Sequence, residues 1–246
     1  MFRHQGKYRT AKHNLQIASL LSFVAGIVNI AGFESIKRLT TNVTGHFAYM
    51  IDAVFKSNYL AGFIFFMYLF FFFLGSFVSN FLIEIVSRKH SKNTYIFPII
   101  LEIFILFLIP FFGPHFIDNA PNIIACSLLF SMGLQNSLVT KISNASVRTT
   151  HLTGLFTDLG IEISQLFFYK EIEKRNKLIS SIKLRFTIIG FFFVGGIFGG
   201  FFYQKIELNV LIIAGFLLIF GLIFDNLKLK MILLNRKLRI VHSVFS

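Results

Sequence analysis

The sequence predicts an all-α, polytopic membrane protein, and its composition is the first reason. Of 246 residues, 55% are hydrophobic, 35 are phenylalanine and only 14% are charged. Because a soluble domain carries about 25% charged residues, this chain cannot cover a globular surface with polar groups. The composition therefore excludes an ordinary soluble enzyme and a disordered chain. The single cysteine, Cys126, also excludes a secreted module built on disulfides.

The second reason is a series of long apolar runs, which lie at 15–33, 60–86, 95–112, 122–139, 186–204 and 207–225. Each is close to the length of about 20 residues that a transmembrane helix needs. Two weaker runs, at 44–56 and 152–169, are interrupted by threonine, histidine and acids. We expect six transmembrane helices and two short, broken or re-entrant segments that dip into the membrane or lie at its interface.

The third reason is the distribution of basic residues, which give the chain a formal charge of +13. If the six strong runs cross and the N-terminus is inside, 20 of the 24 Lys and Arg residues fall on the inner side. If the two weak runs cross as well, the inner count falls to 16 of the 24. The positive-inside rule favours six spans with both termini cytoplasmic. The basic excess is then an orientation signal, and we expect the lipid bilayer as partner and no nucleic acid.

The chain also contains an internal repeat made of three stretches in the same order. Residues 23–29 match 130–136, sharing Phe, Gly and Asn at fixed spacing. Residues 41–47 match 150–156 through Thr-x-x-Thr-Gly and a following Phe, and residues 72–80 match 192–200 in alternating bulky and small residues. The offsets are 107, 109 and 120, so small insertions separate the pieces.

Each repeat holds three spans, an odd number, so the second repeat enters the membrane from the opposite face. This predicts an inverted-topology repeat, which recurs in transporters that bind their substrates near the midplane. The predicted regions are a basic cytoplasmic N-terminus at 1–14, a first membrane repeat at 15–112, a second at 113–225 and a basic tail at 226–246. The tail reads as an amphipathic helix on the inner membrane surface, or alternatively as a pairing surface for a homodimer.

The two Thr-x-x-Thr-Gly motifs are the candidate binding elements. Threonine is a good helix N-cap, and a short helix that begins there presents unpaired N–H groups with a partial positive charge. The motifs therefore predict a site for a small polar or anionic solute, although they could instead only permit tight helix crossing. Asn29 and Asn136 occupy matching, deep positions and are expected to contact the motif segments. The predicted binding residues are Asn29, Thr41, Asn42, Thr44, Gly45, Asn136, Arg148, Thr150, His151, Thr153 and Gly154.

Acids are scarce, and three of them are candidates for coupling or gating. Glu102 lies in the middle of an apolar run, where a carboxyl is functional by default and is either protonated or paired with a cation such as Arg148. Asp158 and Glu162 share one helix face, which lines an aqueous path or meets water at the interface. The sequence offers no metal-binding cluster, phosphate loop or Ser/His/Asp set, so we expect neither an enzyme nor a bound cofactor or metal.

Several of these pieces resemble a known family. They are Ser22-Phe23-x-x-Gly26-x-x-Asn29-x-x-Gly32-Phe33, Thr41-Asn42-x-Thr44-Gly45, Met132-Gly133-Leu134-Gln135-Asn136 and Val147-Arg148-Thr149-Thr150-His151-Leu152-Thr153-Gly154. Over most of residues 15–225 the chain resembles the YoaK-like bacterial integral membrane proteins, a family of unknown function. The resemblance implies a bacterial cytoplasmic (inner) membrane protein and brings no established substrate.

Two functions from different classes remain open at this level. The first is a small-solute transporter or channel-like permease with its site between the two motifs. The second is a membrane scaffold or accessory subunit that transports nothing and binds partners through its glycine-rich helix faces and its tail.

Overall fold

The computed structural model describes residues 9–89 and 94–224, which form helices joined by short connections. The helices are α1 (Ala11–Ile36), α2 (Val43–Phe55), α3 (Tyr59–Arg88), α4 (Ile96–Asn119), α5 (Pro121–Ile142), α6 (Leu152–Gln165), α7 (Ile172–Ile206) and α8 (210–224). This described part contains no β-strand. The chain is an all-helical membrane protein, as the composition predicts.

Five helical stretches are long and apolar enough to cross a membrane by length and composition. They are Ala11–Ile36, Tyr59–Arg88, Ile96–Asn119, Pro121–Ile142 and Ile172–Phe224. The first four correspond to the first four apolar runs of the sequence. Helices α2 and α6 have 13 and 14 residues, so each is only about 20 Å long and too short for a hydrocarbon core of about 30 Å.

The last two predicted runs share the single stretch of 53 residues at Ile172–Phe224. A 3-10 turn at Glu207–Asn209 interrupts this stretch, and Glu207 has a positive φ of 50° there. Leu208 in the turn lies against Gly113 of α4, and after the turn the Phe216 ring lies 5.3 Å from that of Phe107. The sequence numbers therefore run in opposite directions along this contact, and α8 is antiparallel to α4.

Two parallel helix pairs are held together by glycine. In the pair α1–α7, a Cβ on Gly26 would lie 2.2 Å from the carbonyl oxygen of Phe192. In the pair α3–α5, a Cβ on Gly133 would lie 2.1 Å from the carbonyl oxygen of Phe72. Each pair also contains the reciprocal contact, in which Gly195 faces the Phe23 carbonyl and Gly75 faces the Phe130 carbonyl. A side chain at any of these four glycines would occupy the space of the partner backbone.

Helices α1 and α5 supply most of the buried core, whereas α3 and α7 turn aromatic faces outward. On α3 the exposed phenylalanines follow helical spacing and are Phe63, Phe66, Phe70, Phe73, Phe77 and Phe81. Water would not stabilise such a face, and its natural surroundings are the acyl chains of a bilayer. The predicted tail at 226–246 and residues 1–8 of the basic N-terminus lie outside the described residues.

Candidate functional site

The first motif lies beside the middle of α1 because the chain folds back after that helix ends. The hydroxyl of Thr41 donates a hydrogen bond of 2.8 Å to Oδ1 of Asn29. The buried hydroxyl of Thr40 contacts the carbonyl of Val28 at 3.4 Å. Helix α2 therefore begins deep within the protein, next to the residue that the sequence analysis associates with this motif.

The cap of α2 differs from the sequence expectation. Asn42, not threonine, is the N-cap residue, and its Oδ1 accepts hydrogen bonds from the Gly45 amide at 2.9 Å and the Thr44 hydroxyl at 3.0 Å. Asparagine caps helices as well as threonine does, and here its amide oxygen is in reach of the first free N–H groups. Gly45 leaves room for this amide, because a Cβ there would lie 2.8 Å from Asn42 Nδ2.

The second motif has a similar arrangement but differs in its anchoring hydrogen bond and in its helix cap. The buried Thr149 hydroxyl donates to Oε1 of Gln135 at 3.2 Å, and α6 then begins at Leu152. His151 is the N-cap residue, but its side chain makes no capping hydrogen bond. Gly154 leaves space for the imidazole, since a Cβ there would lie 2.3 Å from Nε2 of His151. The helix therefore starts with its first N–H groups unsatisfied by a side chain.

The two motifs meet at one cavity of about 550 Å³, which we call the central cavity. Both asparagines of the repeat line it, and Oδ1 of Asn136 is buried there without a hydrogen-bond partner in the described part of the chain. None of its lining residues is an acid, a lysine or an arginine. The full lining is Asn29, Leu39, Thr41, Asn42, Val43, Thr44, Phe72, Asn136, Thr150, His151, Leu152, Thr153 and Phe192.

Gly45, Gly154 and Arg148 are the predicted binding residues that do not line the central cavity. Gly154 and Arg148 instead line a neighbouring cavity of about 680 Å³, which we call the charged cavity. His151 lines both cavities and so lies between them. The charged cavity is also lined by Asp158, Lys177 and Arg185, with Ser180 and Ser181 on the same helix.

An ion pair joins α6 to α7 beside the charged cavity. Arg185 donates two hydrogen bonds, of 2.8 and 2.9 Å, to the two carboxylate oxygens of Glu162, and it lies 3.2 Å from Asp158. The hydroxyl of Ser181 also donates to Glu162, at 2.7 Å. The side chains of Arg185 and Glu162 are only 19% and 14% exposed, so this pair is largely shielded from water. A bidentate, shielded arginine–carboxylate pair is among the stronger ionic contacts in proteins.

Sequence reasoning missed Arg185 because it stands at the edge of an apolar run and reads as a flanking inner charge. It also missed Phe72 and Phe192, which line the central cavity. The matched pattern around the glycines was the signal available for them, since Phe72 and Phe192 occupy equal positions in the third repeated stretch.

Glu102 is fully buried, and its partner differs from the suggested one. Its Oε1 accepts a hydrogen bond of 2.9 Å from Nε2 of Gln135 on α5. The suggested partner Arg148 instead lies exposed at the charged cavity. Arg148 lies in the connection that follows α5, at the end of the membrane domain, whereas Glu102 lies well inside α4. The pairing of Glu102 with Arg148 was therefore wrong.

The opposite end of the first repeat is aromatic. The ring of Tyr49 on α2 stacks on that of Phe65 on α3 at 5.3 Å, and Phe65 meets Tyr68 edge to face. His46 is buried against Tyr68, and its Nε2 lies 2.7 Å from the carbonyl oxygen of Leu39.

Within residues 9–89 and 94–224, no group of three or more His, Cys, Asp or Glu side chains could hold a metal ion.

Comparison with known proteins places the chain in a family. A model of the family described as protein of unknown function (DUF1275) matches residues 17–224. The chain belongs to the DUF1275 family. It is 24% identical over 212 residues to the UPF0700 transmembrane protein YoaK of Bacillus subtilis (strain 168), which covers 85% of this chain and 94% of that protein. No solved structure matches the chain. The resemblance to the YoaK-like membrane family is confirmed, and the match of DUF1275 begins in α1 and ends with α8.

Proposed function

We propose that this protein is a transporter or channel-like permease for a small polar or anionic solute, and that the central cavity is its binding site. One observation carries the proposal: two motifs about 109 residues apart in sequence line the same cavity. Its lining combines hydrogen-bonding side chains with leucine, valine and phenylalanine and contains no acid, lysine or arginine, which suits a small polar molecule. Irregular backbone inside a membrane is stable where it lines a polar cavity, and both motifs do so.

The proposal includes six spans arranged as an inverted repeat, with both termini in the cytoplasm of a bacterial cell. The glycine contacts support it, because Gly26 and Gly75 correspond to Gly133 and Gly195 at the offsets found in the sequence. The chain reversal at Glu207–Asn209 supports counting α7 and α8 as separate spans. Short helices α2 and α6 then begin beside the central cavity and run toward opposite faces of the membrane.

The different contacts of the two short helices with their neighbouring long helices support a transport cycle. At the offsets 109 and 120, Tyr49 corresponds to Asp158 and Phe65 to Arg185. The first repeat fills this place with stacked rings, whereas the second holds an ion pair beside the charged cavity. His151 lines both that cavity and the central one. This asymmetry is what a protein that opens to one side at a time would have.

Transport measurements with isosteric variants test the binding site. We expect purified protein in liposomes to move one member of a panel of small polar and anionic solutes. Thr41→Val and Thr150→Val should each raise the half-saturation concentration about fivefold, because one hydroxyl hydrogen bond is worth about 1 kcal/mol. Thr187→Val, whose hydroxyl bonds the Lys183 carbonyl outside both cavities, should behave as wild type.

Equal transport by all four proteins would reject the central cavity as the site. If no solute of the panel moves and a stoichiometric partner protein co-purifies instead, the chain is an accessory subunit and the permease proposal fails.

Thiol labelling tests the membrane topology. In a Cys126→Ala background the chain has no cysteine, and Lys56→Cys and Lys170→Cys add one after α2 and one after α6. With six spans, a membrane-impermeant maleimide should label these two cysteines from opposite sides of the membrane. If α2 and α6 also crossed, both cysteines would face the same side, and labelling from one side would reject the six-span arrangement.

A further inference from the structure

A buried hydrogen-bonded chain connects Glu102 to the second motif. Nε2 of Gln135 donates to Oε1 of Glu102 at 2.9 Å, and the Thr149 hydroxyl donates to Oε1 of Gln135 at 3.2 Å. All three side chains are fully buried. The next residue, Thr150, lines the central cavity. The chain of contacts therefore begins at a carboxyl in the core and ends one residue from the binding site.

In the described part of the chain, no cation is paired with the carboxyl of Glu102. The helices around α4 carry Lys141 and Cys126 on α5, Glu84, Arg88, Tyr59 and Tyr68 on α3, and Glu207 beside the turn. Lys141 pairs with Glu84 at 2.8 Å, and Tyr68 bonds Asn122, so neither of these contacts is directed at Glu102. Helix α8 has no charged residue in 210–224. Oε2 of Glu102 is buried without a partner in the described residues. A carboxylate with one neutral donor is costly in such surroundings, so the arrangement fits the protonated acid.

The fold does not require this chain of contacts, because the first repeat lacks it. Gln135 corresponds to Val28, whose carbonyl alone contacts Thr40, the residue that corresponds to Thr149. The two motif segments are therefore anchored in different ways. Burying an acid and an amide where the first repeat uses only a backbone carbonyl adds a titratable group without a structural need.

We propose that Glu102 is a proton-binding site and that its protonation is coupled through Gln135 to the Thr149–Thr150 segment at the central cavity. Loss of the proton leaves a carboxylate and releases one proton to water. The carboxylate requires more donors than the single amide of Gln135 provides. Thr149 holds that amide in its orientation, so a rearrangement around Glu102 moves the segment that lines the cavity. The proton site itself does not depend on the proposed function. Only the statement that the proton is the coupling ion of the central cavity rests on that proposal.

Infrared difference spectroscopy of the purified protein between about pH 5 and about pH 9 tests the proton site without any solute. We expect a band of a protonated carboxyl that disappears on the alkaline side and is absent in Glu102→Gln. Gln135→Leu should keep the band and move it to higher wavenumber, because the carbonyl loses its hydrogen bond. Glu84→Gln, which removes an exposed acid at the end of α3, should leave the band unchanged. A spectrum in which Glu102→Gln removes no pH-dependent band overturns the proposal.

A thiol-reactivity measurement tests the coupling. Because only the thiolate reacts with maleimide and its fraction rises with pH, the rate of Thr150→Cys is divided by that of the exposed Lys56→Cys at the same pH, both in the Cys126→Ala background. We expect this ratio to change at least about threefold between the two pH values. Adding Glu102→Gln to both proteins should make the ratio independent of pH, whereas adding Glu84→Gln should not. A pH-dependent ratio that persists with Glu102→Gln overturns the coupling. Neither experiment involves transport, so their failure would leave the solute proposal standing, and a failed transport assay would leave the proton site standing.

Discussion

Replacing Gly26 with alanine is expected to destabilise the protein by about 3 kcal/mol or more. The new Cβ would lie 2.2 Å from the carbonyl oxygen of Phe192 and 2.7 Å from the amide nitrogen of Gly196, and neither backbone atom can rotate away. Overpacking in a dense interior costs about 1–3 kcal/mol even where side chains can yield. Gly133→Ala should cost as much, since its Cβ would lie 2.1 Å from the Phe72 carbonyl oxygen. The effect is measured as the change in the melting temperature of the protein in detergent.

The matched control lies on the same helix as one of the partners. Gly190 is on α7, and a Cβ there would meet no atom within 4 Å. Gly190→Ala should therefore be neutral or stabilise the helix by up to about 1 kcal/mol, because alanine is the better helix former. Equal melting temperatures for the Gly26 and Gly190 variants would mean that α1 and α7 are not in backbone contact.

Replacing Arg185 with glutamine should destabilise the protein by about 3 kcal/mol, the lower part of the range for breaking a shielded ion pair. Glu162 would lose both of its arginine hydrogen bonds while its side chain stays only 14% exposed. The double variant Glu162→Gln, Arg185→Gln should recover part of the loss, because no unpaired carboxylate remains. Denaturation of the three proteins in the same detergent measures this.

The control for Arg185 is Lys177→Gln on the same helix. Lys177 pairs with Glu173 at 2.6 Å, but their side chains are 75% and 74% exposed, so the change should cost less than about 0.5 kcal/mol. If the double variant were as unstable as Arg185→Gln alone, the unpaired Glu162 would not be the cause. The same variants in the transport assay would report whether the pair restricts access to the charged cavity.

Hydropathy predicted the first four long helices because a bilayer requires an uninterrupted apolar run for each span, and such a run is visible in sequence. It also separated α2 and α6, since Thr44, His46 and Asp158 interrupt those runs. Hydropathy predicted two apolar runs at α7 and α8, but it could not predict how the chain turns between them. In this turn Leu208 contacts Gly113, which lies nearly a hundred residues earlier. Hydropathy also did not predict the bounds of this helix, because α7 begins well before its apolar run does.

The candidate site divides along a similar line. Repetition within the sequence identified Thr41, Thr150, Asn29 and Asn136, because a motif that occurs twice can be found without knowing the fold. Residues that only folding brings together could not be predicted from the sequence. Nothing near Glu162 in the sequence indicates Arg185, 23 positions away, as the residue that neutralises it. Nothing near Glu102 indicates Gln135, 33 positions away. The sequence therefore indicated the repeated motifs but not the partners of the two acids.

Backbone-to-backbone contact at the four glycines has a mechanical consequence. Helices that touch through main-chain atoms have no soft layer of side chains between them, so α1 and α7 cannot slide past each other, and neither can α3 and α5. The short helices lack such contacts: α2 meets α3 through rings, and α6 meets α7 through an ion pair. Any opening of the central cavity would then be a displacement of α2 or α6 against two rigid pairs, with the long helices as the stationary frame.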